Sequence, residues 1–189
     1  MTDKLDEYID LLVEAGRSMN LVSRDTDRRQ LGRLVSESRL LGKFIKSRMI
    51  VDAGSGNGLL GIPLAVMNHE SAVVLVETNQ KKCRFLETAL RFLALGNATL
   101  YQGPIKQWVR SHRVEAAQSC VVARGFPRLD VLLNELKKGR VAELAVITSP
   151  DKTNKMEKDM ERVVKNRYNI PSRDHLVVIK MEYVSRETF

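Results

Sequence analysis

An α/β fold with a mainly parallel sheet is what this sequence predicts, on three features. From Met49 onward, apolar runs of strand length alternate with amphipathic stretches. A glycine-rich turn lies at the first strand-to-helix junction, and helical patterns without strands fill the segment before it. Such alternation calls for right-handed crossovers, which lay helices on both faces of a parallel sheet. At 189 residues, with 43% hydrophobic and 29% charged side chains, the chain has the size and composition of one globular core.

In chain order, Leu5, Tyr8, Ile9, Leu12 and Met19 fall near helical spacing among Asp3, Asp6, Glu7, Asp10 and Glu14, which predicts an amphipathic helix with an acidic start. From Arg24 to Arg48 the charge reverses, with eight basic residues against three acidic ones, and Leu31, Leu34, Val35, Ser38 and Leu41 form the stripe of a second helix. Residues 1–48 therefore read as an N-terminal helical extension and residues 49–189 as the sheet domain. Met49–Ala53 is the first expected strand, Gly58–Asn68 a helix that tolerates Pro63 near its first turn, and Ala72–Val76 the second strand. Gln80–Leu95 is an amphipathic helix stopped at Gly96. The alternation continues through a strand at Ala98–Tyr101, a helix at Ile105–Ser111, a strand at Ser119–Ala123, a helix at Leu129–Lys138 closed by Gly139, and a strand at Leu144–Thr148. The tail predicts a charged helix at Lys155–Lys165 and a strand at Leu176–Met181, with pairing around Tyr168–Ile170.

Apolar runs such as Ile62–Met67 are far shorter than the ~20 residues that span a bilayer. The opening Met1–Glu7 has neither the basic nor the apolar region of a signal peptide, so a cytoplasmic location without a membrane partner is expected. Cys83 and Cys120 are too few for a disulfide framework, and with His69, His112 and His175 they show no metal-ligand spacing; packed thiols and no metal are expected. A net charge of +8 and an isoelectric point near 9.7 suit a polyanionic partner.

The most informative stretch is Asp52-Ala53-Gly54-Ser55-Gly56-Asn57-Gly58 at the end of the first strand. Alternate glycines let the chain turn sharply and let backbone approach a ligand where a Cβ would collide. Two fingerprints overlap here. Gly56-Asn57-Gly58-Leu59-Leu60-Gly61, with Glu77 21 residues after Gly56, fits a dinucleotide site. The acid-x-Gly-x-Gly-x-Gly run from Asp52 fits S-adenosylmethionine (SAM). A pyrophosphate needs uncompensated N–H groups at a helix start, and the carboxylate of Asp52 opposes it. SAM carries an ammonium and a sulfonium, which an acid favours. On this reading Asp52, Gly54, Ser55, Gly56 and Gly58 face the methionine portion, and Glu77 accepts the ribose hydroxyls.

Gly54-Ser55-Gly56-Asn57-Gly58-Leu59-Leu60-Gly61-Ile62-Pro63-Leu64-Ala65 resembles the signature of the RsmG/GidB family of small-subunit ribosomal RNA guanine-N7 methyltransferases. Met19-Asn20-Leu21-Val22-Ser23, Lys81-Lys82-Cys83-Arg84-Phe85-Leu86 and Arg124-Gly125-Phe126 are similar to further elements of that family. Two places depart from it: Leu34 stands where the family has a histidine, and the fifth strand runs into Thr148-Ser149-Pro150-Asp151-Lys152 in place of Leu-Lys-Gly. The resemblance implies a Rossmann-like class I methyltransferase with a mainly parallel seven-stranded sheet, SAM as cofactor, and 16S ribosomal RNA or the assembling small subunit as partner.

The residues suit that chemistry. The place after the fourth strand lacks the Asn/Asp-Pro-Pro-aromatic turn of adenine-N6 enzymes, and both cysteines lie in regular elements, where a cytosine-C5 nucleophile is not expected. Guanine N7 has an exposed lone pair and needs no general base. Arg124 is the candidate for holding the guanine or a nearby phosphate through its planar fork, and Arg33 on the basic helix is a candidate RNA contact. Phe126 suits either stacking on a base or plugging the core. Trp108 between Lys106 and Arg110 invites an RNA-stacking role, but a lone Trp in an amphipathic helix is more often buried. An oxidoreductase on the Gly56–Gly61 fingerprint, and an RNA-binding protein that keeps the fold without transfer, stay open as alternatives. The basic excess is concentrated on residues 24–48 and 81–140, flanking the glycine turn.

Overall fold

Central strands of this chain are apolar on both sides because helices cover both sides. The computed structural model describes residues 2–19, 26–148, 164–169 and 177–182. Its parallel strands are β1 (Met49–Ala53), β2 (Ala72–Glu77), β3 (Ala98–Gln102), β4 (Cys120–Arg124) and β5 (Glu143–Thr148). Two further strands, β6 (Val164–Asn169) and β7 (Val177–Glu182), pair antiparallel with each other, and β7 pairs antiparallel with β5. The sheet order is β3-β2-β1-β4-β5-β7-β6. The order reverses between β1 and β4, and the crevice beyond the carboxyl ends there is where open α/β sheets bind ligands.

Period-two alternation sorts the strand residues between two apolar layers. Ile50, Cys120, Val122, Ala145 and Ile147 pack into the layer of α1 (Thr2–Met19), α2 (Arg28–Gly42), α3 (Gly61–Met67) and α4 (Gln80–Phe92). Val51, Ala53, Val121, Ala123, Leu144 and Val146 pack on the opposite side with α5 (Ile105–Ser111), α6 (Arg113–Ala117) and α7 (Leu129–Lys138). Leu5, Tyr8, Leu12, Leu31, Val35 and Leu41 of the two N-terminal helices belong to the same buried cluster as β1 and β4. Arg28 also binds Asp6 at 3.1 Å and Asp10, joining α2 to α1, while Asp27 and Gln30 close a capping box at the start of α2.

Several boundaries differ from the sequence expectations, each for a local reason. α3 starts at Gly61, not Gly58, because Gly58 takes φ +86° and its N–H closes a turn on Ser55 O at 2.8 Å. α4 ends at Phe92, before Leu95, because Ala94 adopts the left-handed φ of 47° and Leu95 N–H bonds back to Leu90 O at 3.1 Å. α7 ends the same way: Arg140, not Gly139, is left-handed at φ 52°, with Val141 N–H on Leu136 O at 3.1 Å. Gly139 is required for space, since a Cβ there would lie 2.1 Å from Val109 Cγ1. The short α6 was not expected from sequence. Most of the expected helix Lys155–Lys165, together with Asn20–Ser23 and Ser149–Lys152, lies outside the described residues; its last two residues, Val164 and Lys165, are strand in β6.

Candidate functional site

The glycine turn gets its shape from three left-handed residues, Gly54, Gly56 and Gly58, at φ +72°, +62° and +86°. An L-residue reaches that region only at a cost, which is why glycine alternates here. Gly54 N–H and Ser55 N–H both donate to Val76 O at 2.9 Å, anchoring the turn to β2. Ser55 Oγ donates to Asp52 O at 3.0 Å and is buried. Alternation points Asp52 to the face it shares with Ile50, where its Oδ2 accepts from Gly61 N–H at 3.0 Å at the start of α3. Asp52 is 1% exposed; burial pushes its carboxyl up to about 7 against the lowering effect of the Ser55 and Gly61 hydrogen bonds and Arg124, with Glu77 adding to the rise. The N–H that a dinucleotide pyrophosphate would need at that helix start is therefore already taken by a carboxylate.

Glu77 ends β2 and knits the turn to the next one. Its Oε1 accepts from Thr78 N–H and Asn79 N–H at 2.8 Å each, and its Oε2 accepts from Gly56 N–H at 2.8 Å. In front of it opens a cavity of about 450 Å³ at the carboxyl edge of the sheet, within the range of small-ligand pockets. Gly54, Glu77, Arg124 and Phe126 all line it, so four of the residues singled out from sequence meet around one cavity. Asp52, Ser55, Gly56 and Gly58 do not line it; they lie behind as the scaffold of the turn. Arg33 is exposed on α2 and is not part of the cavity either.

The fourth strand supplies the opposite side. Arg124 closes β4, and Gly125 at φ +60° turns the chain so that Phe126 comes over Gly54, whose Cβ would lie 3.3 Å from the ring. Phe126 is half-buried: it packs on the apolar layer of α5 and α7 and also faces the cavity. Arg124 Nη2 donates to Leu34 O at 2.9 Å and Ser38 Oγ at 3.1 Å and lies 3.5 Å from Glu37 Oε2, all on α2. The Leu34 contact is through its carbonyl, so the change from histidine leaves it intact. Tyr8 of α1, fully buried, donates to Asn57 O at 2.8 Å, and burial together with the nearby Asp52 charge holds its phenol well above the usual range.

Sequence reasoning missed other walls of the cavity: Thr78 and Lys82 after β2, and Gly103, Pro104 and Ile105 after β3. The signal was there in the Gly103-Pro104 turn, since ligands gather beyond the carboxyl ends of parallel strands. Nothing in the sequence marked Tyr8 as a partner of the glycine turn. Trp108 is 2% exposed and stacks on His112 with centroids 5.2 Å apart, which rules out the RNA-stacking reading. Both cysteines are buried, and burial pushes the Cys83 thiol up, as befits packed groups and not nucleophiles. Among the described residues, no cluster of His, Cys, Asp or Glu could hold a metal ion, and no helix is long and apolar enough to cross a membrane.

Comparison with known proteins adds family and fold. The family model described as GidB, rRNA small subunit methyltransferase G, matches residues 1–174. A "Ribosomal RNA small subunit methyltransferase G" from Solibacter usitatus is 28% identical over 164 residues, covering 86% of this chain and 77% of the relative. One of the same name from Xanthomonas campestris pv. campestris is 43% identical over 91 residues, which span 48% of this chain and less than half, 43%, of that relative. Among solved structures, a methyltransferase from Geobacter sulfurreducens superposes with a TM-score of 0.65 at 14% identity, covering 94% of this chain and 89% of that one. At such identity the likeness is one of fold: a Rossmann-like α/β architecture with a mainly parallel sheet, shared with methyltransferases.

Proposed function

Because the chain belongs to the GidB family, we propose that it transfers a methyl group from SAM to N7 of a guanine in 16S ribosomal RNA, free or in the assembling small subunit, in the cytoplasm. The observation that carries this reading is the cavity bounded by Gly54 and Glu77 on one side and by Arg124 and Phe126 on the other. SAM supplies an electrophilic sulfonium methyl. The residues present fit it: Glu77 Oε2 accepts one backbone bond and, with about two acceptor sites per carboxylate oxygen, keeps capacity for a ribose hydroxyl. Gly54 keeps that wall clear of a side chain beside Phe126. Asp52 acts on the cationic end through the turn it braces, by charge and not by contact. Arg124 holds the guanine O6 or a phosphate, and no residue is needed as a base because N7 already carries its lone pair. What remains for the chain is alignment, an effect that removes up to ~7–11 kcal/mol of barrier.

The helical extension over residues 1–48 and the catalytic domain over 49–189 act together in this proposal. The test is incubation with labelled SAM and small-subunit RNA followed by nucleoside mass analysis. Label in 7-methylguanosine is expected; label in 6-methyladenosine or 5-methylcytidine, or none, overturns the reading. Arg124→Ala should retain SAM binding by calorimetry and lose methyl transfer.

A further inference from the structure

Arg124 leaves β4 beside the cavity and is met there by a single turn of α2. Its Nη2 reaches Leu34 O at 2.9 Å, Ser38 Oγ at 3.1 Å and Glu37 Oε2 at 3.5 Å. The Glu37 side chain is 1% exposed and that of Arg124 18%. Ser38 Oγ also lies 2.7 Å from Leu59 O, to which it donates its proton while accepting from Arg124. One turn of α2 thus grips both the arginine and the segment that follows the glycine turn.

A carboxylate is costly to bury and persists where it is paired. Glu37 sits on the buried face of α2 with Leu31, Val35 and Leu41, where packing alone would favour another apolar side chain. An arginine at a cavity wall otherwise samples many rotamers, and fixing them in advance lowers the cost of meeting a substrate. With Nη2 donating to Leu34 O and Ser38 Oγ and the Glu37 charge 3.5 Å away, the plane of the guanidinium is fixed.

We propose that Glu37 is a positioning residue for methyl transfer: its buried carboxylate holds the Arg124 guanidinium at the cavity wall, so that the fork meets the guanine or phosphate already oriented. This rests on the reading of Arg124 as the residue that holds substrate. Glu37→Gln keeps the shape and removes the charge. With small-subunit RNA and labelled SAM, it should lower kcat at least about tenfold, because misalignment acts on the chemical step. Its SAM affinity by calorimetry should stay within about twofold of the parent. Glu37→Asp should recover part of the lost rate. In an Arg124→Lys background, which keeps a cation without the planar fork, Glu37→Gln should cost much less than it does in the parent, since the orientation it maintains is already gone.

An unchanged kcat in Glu37→Gln, or losses that multiply in full across the two backgrounds, overturns the proposal. If Glu37→Gln does not fold, Ser38→Ala and Glu37→Asp are read in its place in both backgrounds, against the same criterion. Absence of transfer by the unsubstituted protein instead overturns the functional reading itself, and is seen before any variant is compared.

Discussion

Two buried carboxylates, Asp52 and Glu77, divide the work around the glycine turn. Glu77 lines the cavity while its oxygens hold the backbone of both flanking turns. Glu77→Ala should weaken SAM binding by ~1.5–3 kcal/mol, the value of charge-assisted hydrogen bonds, and lower the melting temperature as well because the N–H groups of Gly56, Thr78 and Asn79 lose their acceptor. Calorimetry and thermal melts measure the two effects separately. Asp52 is the pH-sensitive member. Unfolded, its carboxyl ionises near 3.8; folded, it holds its proton up to about 7. Between those values the native state binds the extra proton, so this group's contribution to stability falls as pH rises from about 4 to about 7 and then levels off. Asp52→Asn should flatten that slope in melts taken across the range. SAM affinity should rise as Asp52 ionises near 7, since the carboxylate favours a cationic ligand, and the Asn variant should lack the rise.

Helix ends show how an element can be predicted correctly and still be closed by the wrong residue. Sequence placed the stops of α4 and α7 at Gly96 and Gly139, the usual residue type, yet the left-handed positions are Ala94 and Arg140. Ala94→Gly should therefore stabilise the protein by up to ~1 kcal/mol by relieving a left-handed L-residue. Gly139→Ala should destabilise it by ~1–3 kcal/mol, because the new methyl meets Val109. Denaturant titration of both variants checks the contrast. The N-terminal helices pose the same problem at larger size: their periodicity was legible, but their contacts with the turn through Tyr8 and with β4 through Glu37 and Ser38 were not. Those contacts join residues far apart in the chain, and periodicity reports only which face of a helix is apolar.

At the scale of the whole molecule, the charge excess acquires a location. Residues 24–48 and 81–140 together carry more than the whole excess, the rest of the chain being net acidic, with Arg33 and Arg39 exposed on α2 and Lys82 and Arg124 in the cavity wall. RNA affinity should fall steeply with salt, with log K linear in log salt concentration, while SAM affinity changes little; filter binding and calorimetry over the same salt series measure both. The sequence by itself determined the α/β alternation, the glycine turn, the acid at the end of β2 and the arginine at the end of β4. These follow from local rules: strand and helix periods, the φ that only glycine takes freely, and the position of strand ends in parallel sheets. Only the tertiary structure decided that Asp52 braces α3 instead of lining the cavity, that Trp108 is core, and that Arg124 is gripped by α2. Each of these depends on which side chains a folded sheet brings within hydrogen-bond reach across dozens of residues, and no spacing along the chain encodes that proximity.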